Sequence, residues 1–103
     1  MPVVSDRISE RVTEDFGTSA PQVLSALERL GVDVDVDPER VHAAVLLVSR
    51  RSRTMLDDAL EHAGSDWRDL LERAGLADDG WRQRVDDEFG RAVATQARRA
   101  DHL

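Results

Sequence analysis

At 103 residues with 41% hydrophobic content, the chain has room for one domain and one core, and needs no disulfide or metal staple to close it. It has no cysteine, which removes disulfides, thiolate metal sites and cysteine nucleophiles. A formal net charge of -7 repels nucleic acid and anionic lipid over the surface as a whole.

The first ten residues mix apolar and charged positions with no apolar block before a cleavage site, unlike a secretory signal. The longest apolar stretch, Ala43–Val48, is far short of the roughly 20 residues that cross a bilayer. The expectation is a cytoplasmic protein. All 14 basic residues are arginine. Residues 54–89 concentrate the negative charge, with eleven acids against four bases, while the flanking segments nearly balance.

Glycine punctuates the chain. Gly17, Gly31, Gly64 and Gly75 each follow an apolar run at helical spacing, and each marks an expected helix end. Starts are marked by Ser5, by Thr18 or Ser19, by Asp37 before Pro38, by Ser65, and by Asp78 or Asp79. The first segment, residues 4–16, places Ile8, Val12 and Phe16 on one face; the second, 20–30, does so with Val23, Leu27 and Leu30. Val32–Asp37 alternates apolar and acidic residues but has no partner strand, so it reads as an extended connector. The third segment, 38–48, is apolar nearly all round and belongs at the centre. A polar, basic bend at 49–54 precedes a fourth helix carrying Met55, Leu56, Ala59, Leu60 and Ala63.

The fifth helix, 66–74, presents Trp67, Leu70, Leu71 and Ala74, and Leu76 after Gly75 is placed to fold back on it. The sixth runs from Gly80 to about Arg98 on a stripe of Trp81, Val85, Phe89, Ala92, Val93 and Gln96, with residues 98–103 a frayed tail. These elements predict an all-α fold: a single domain over 1–103, a compact orthogonal bundle of five or six short helices.

Candidate chemistry is sparse. Asp33, Asp35, Asp37 and Glu39 have the spacing of a calcium loop, but Pro38 stands where its glycine belongs and Ala44 where its closing glutamate belongs, so they read as a solvated linker with Asp37 capping a helix. Leu56–Leu71 has a helix-turn-helix look, but its spacing is one residue too long and its second helix carries Asp66, Asp69 and Glu72. Arg50, Arg51 and Arg53 form the one compact basic cluster, able to contact an anion or simply a solvated bend. His42, His62 and His102 lack the spacing that presents two imidazoles to one metal and read as surface residues. No nucleophile elbow, phosphate-cradling loop or distinct carboxylate pair is present, so no enzyme, cofactor or metal is predicted.

Two stretches, RVHAAVLLVS at Arg40–Ser49 and DWRDLLERAGL at Asp66–Leu76, resemble a group of small bacterial proteins common in actinobacteria. In these an Ala-Val-Leu helix ending in serine leads to a second helix and then an Asp-Trp-Arg-Asp-Leu-Leu helix closed by Ala-Gly. The resemblance covers roughly the middle half of the chain and departs at Arg50–Arg53, where the relatives carry an acidic, glycine-containing turn. It implies a helical fold and an intracellular bacterial setting, and no activity.

The functional expectation is therefore a non-enzymatic protein-interaction or regulatory domain. Trp67 and Trp81 are expected to pack in the core or at its rim; Asp57, Asp58, Glu61, Asp66, Asp69, Glu72, Asp86 and Asp87 would steer a partner with a basic patch, while one of these tryptophans or the last helix would supply apolar contact. The alternative is an immunity-type or nucleic-acid-mimicking neutraliser of a nucleic-acid enzyme. Direct nucleic-acid binding through the arginine cluster ranks below both, and self-association through the last helix is a further option.

Overall fold

Helix α3, Pro38–Ser49, forms where the sequence leaves little alternative: Pro38 sits in its first turn, and the Asp37 carboxylate accepts from the Glu39 amide at 2.9 Å. Residues 41–46 are all buried, so the helix has no solvent face along its middle two turns. The computed structural model describes residues 4–32 and 35–90, and most of the other helices of that range pack directly against this one. They are α1 (Asp6–Phe16), α2 (Ala20–Arg29), α4 (Arg53–Ala74) and α5 (Trp81–Phe89), with a single 3-10 turn, Gly17–Ser19, joining α1 to α2.

Because that turn leaves no loop between α1 and α2, residues 6–29 are one helical run bent at Gly17, whose φ of 51° reverses the chain. The described residues thus form four helical runs, 6–29, 38–49, 53–74 and 81–89, instead of five or six separate helices, and they contain no strand. The fold is compact and all-helical, with a Cα radius of gyration of 13.5 Å against about 13 Å for a packed chain of this length. A single core joins Ile8 and Val12 of α1, Val23 and Leu27 of α2, Val41, Val45 and Leu46 of α3, Leu56 and Leu70 of α4, and Val85 of α5. Each such side chain contributes roughly 1.5–3 kcal/mol by leaving water.

The expected helix end at Gly64 is not there. Residues 53–74 form one element, and the break falls at Asp66, which leaves helical geometry at φ -154°, ψ 78° and whose carboxylate accepts from the Asp69 amide at 3.3 Å. Asp66, and not Ser65, therefore caps the second half; the Ser65 hydroxyl instead donates to the His62 carbonyl. The far end follows the sequence closely. Gly75 is left-handed, its amide donates to Glu72 O and the Leu76 amide to Leu71 O, and the Leu76 side chain is fully buried beneath. Helix α5 stops at Gly90, φ 86°, where the sequence suggested continuation; the proposed stripe at Ala92, Val93 and Gln96 and the tail at 98–103 lie outside the described residues.

Polar side chains tie the ends of the runs together. Arg7 of α1 donates through Nε and Nη2 to the two oxygens of Glu39 at 2.7 Å, and through Nη1 to Asp86 of α5 at 2.6 Å and to the Gly90 carbonyl. Ser5, at the start of α1, gives its hydroxyl to Glu39 at 2.6 Å and makes no cap bond. This network holds the Arg7 guanidinium above its usual pKa and, mainly through the Arg7 hydrogen bonds, the Glu39 carboxyl below its own. Arg7→Ala leaves Glu39 and Asp86 without their shared cation, and we expect it to lower unfolding free energy by about 2–4 kcal/mol in urea titration. A loss within the error of the fit would show that the network is ornamental.

His42 corrects the expectation of a surface histidine: it is fully buried in α3, and neither ring nitrogen makes a hydrogen bond of good geometry, although the Leu27 backbone lies close enough to act on the ring. Burial depresses its pKa; the Leu27 carbonyl, Asp37 and Glu39 oppose that shift more weakly. The folded state thus takes up the proton at lower pH than the unfolded chain, whose histidine titrates near about 6.5. Stability is full above that value and falls as pH drops below it. His42→Leu should flatten this limb, leaving only the loss at still lower pH that accompanies protonation of Glu39. Denaturation curves of wild type and variant that remain parallel across this range would exclude His42 as the source.

Candidate interaction surface

The buried side of α4 is set by Leu56, Ala59, Ala63, Leu70 and Leu71, which rotates Asp57, Asp58 and Glu61 into solvent. All three are exposed, and none forms a hydrogen bond or ion pair among the described residues. Beyond Arg53 at its first position the helix carries no arginine until Arg68, so the solvent face from Thr54 to Asp66 is acidic, with His62 as the one other titratable group in that stretch. An uncompensated charged face of this kind attracts cations at range.

The second half is mixed. Asp66 is used as a cap, Asp69 receives His62 Nε2 at 2.8 Å, and Glu72 is exposed beside Arg68 and Arg73. Arg73 Nη1 lies 3.2 Å from His62 Nδ1, on the side of the ring opposite the nitrogen that faces Asp69. Trp67 is half-buried with the Arg68 guanidinium 5.0 Å from its ring, and with Leu71 and Glu72 it borders a shallow depression.

Two residues expected on this surface are elsewhere. Trp81 is only 8% exposed, with Arg40 at 5.2 Å and Arg82 at 4.6 Å from its ring, so it is a core residue under two cations. Asp86 is half-buried and bound to Arg7. Asp87 is exposed on α5 and accepts from Gln83 at 2.9 Å.

The basic cluster is dispersed by its own backbone. Arg50 and Arg51 both take positive φ, 49° and 67°, so the bend is left-handed at two consecutive residues. Arg51 reaches the buried Asp15 carboxylate at 3.1 Å, which Arg11 also holds, and Arg53 contacts Gln22. Arg50 instead lines a cavity with Arg73 and Arg84, which come from distant parts of the chain and which local spacing gave no reason to group with it.

The acidic linker is likewise absorbed by structure: Asp37 caps α3 and Glu39 binds Arg7, while Asp33 lies outside the described residues. Among the described residues no group of three metal-ligating side chains converges, and no helix is long and apolar enough to cross a membrane. No family model matches the chain, and neither a curated protein nor a solved structure shows significant similarity to it.

Proposed function

We propose that this chain is a non-enzymatic, intracellular protein-interaction domain that presents the acidic face of α4 to a partner bearing a basic patch. The observation behind this reading is the set of uncompensated carboxylates Asp57, Asp58 and Glu61 on one exposed helical face. Asp66, Asp69 and Glu72 extend the negative charge along the same element, and Trp67, half-buried at their midst, is the aromatic group available as an apolar anchor. Trp81 and Asp86 drop out of the contact set, since one is buried and the other already paired.

The charges act mainly on encounter, and the anchor on residence time. Reversing Asp57, Asp58 and Glu61 together to arginine should slow association with a basic partner captured from native lysate by about ten-fold or more at low salt. Trp67→Ala should instead speed dissociation. Circular dichroism of both variants checks that they remain folded, since Trp67 packs partly against the core. Capture that is indifferent both to the triple reversal and to added salt would overturn the proposal.

A further inference from the structure

We infer that the cavity between the C-terminal end of α3, the two ends of α4 and α5 is a binding site for a phosphate monoester carried on a small apolar body. Arg50, Arg73 and Arg84 line it from three different elements, over an apolar surface made by Leu47, Val48 and Met55. The cavity volume is about 300 Å³, at the small end of ligand sites.

Two of the three guanidinium groups are uncommitted. Arg50 and Arg84 make no hydrogen bond or ion pair with any described residue, whereas Arg7, Arg11 and Arg51 are each spent on carboxylates. Only Arg73 is partly used, through its contact with His62. Gly75, which closes α4, lies beside Arg84: a Cβ there would sit 3.4 Å from its Nη1, in ordinary van der Waals contact, so the turn packs directly against the arginine. Arg50 is held at φ 49°, ψ 47°, a left-handed conformation that arginine rarely adopts.

The ligand class follows from this donor set. Guanidinium groups arriving from three elements suit a tetrahedral head with three peripheral oxygens; a planar carboxylate is satisfied by one fork. Glu88 on the rim offsets one positive charge, which favours one phosphate over a polyphosphate chain. Met55, 41% exposed and the one large apolar side chain so open among the described residues, offers an adaptable contact for the body of the ligand.

Phenyl phosphate, inorganic phosphate and benzoate, titrated separately into the full chain and followed by amide NMR shifts, test the assignment. Phenyl phosphate should give saturable shifts around Arg50, Met55 and Ala74 and bind more tightly than either of the other two. Arg50→Gly, which suits the left-handed backbone and should melt at or above the wild-type temperature, and Arg84→Gln should each weaken binding about ten-fold or more. Absence of saturable shifts, variants that bind like wild type, or a preference for benzoate or inorganic phosphate would each overturn the inference.

Discussion

A helix buried on every side cannot stabilise a protein alone; it obliges the rest of the chain to enclose it. Helix α3 imposes that constraint here. Its residues 41–46 all lie out of water, and α1, α4 and α5 meet around them. The alanines at 43 and 44, both fully buried, allow neighbouring elements close approach, while Val41, Val45 and Leu46 fill the space between. The same enclosure leaves His42 in the core without a hydrogen bond of good geometry for either nitrogen, so the central helix carries a polar group that is costly to bury.

Apolar packing does not by itself say which ends meet, and Arg7 supplies that information. Its single guanidinium joins the first helix to the start of the third and the end of the fifth, contacts spanning 32 and 79 residues of sequence. Arg11 repeats the device one turn later, holding Asp15, the Glu88 carbonyl and the face of Phe89, whose ring centre is 4.8 Å away. The planar fork suits this use better than an ammonium would, and the chain uses arginine throughout.

Features encoded locally were legible in the sequence. The Asp37 cap, the Gly75–Leu76 closure, the stripes of the first two helices and the central place of the third each depend on residues within one or two turns. Gly64 misled because glycine ends a helix only when the backbone takes positive φ, and here a helical hydrogen-bond pattern continues to Asp66. Leu56, Ala59, Ala63, Trp67 and Leu70 stay in phase across that point, so periodicity alone cannot reveal the bend. His42 was misjudged although the signal existed, since a helix apolar all round buries whatever residue it contains. The grouping of Arg50 with Arg73 and Arg84, and the pairing of Asp86 with Arg7, arise only when distant elements meet. Of the acidic surface, the exposure of Asp57, Asp58 and Glu61 followed from the helical stripe, and the burial of Trp81 from its place on the apolar stripe of the last helix.

The bend at Asp66 bears on the chain's economy of length. A straight helix of 22 residues is about 33 Å long, whereas the 12 residues of α3 span only about 18 Å. An unbent α4 would overhang the helix it covers and strand its far leucines in solvent. One non-helical residue turns the corner instead, keeping Leu70 and Leu71 inside without the chain ordering that a separate loop would require. A chain of this size can thereby surround a central helix with few connections to immobilise.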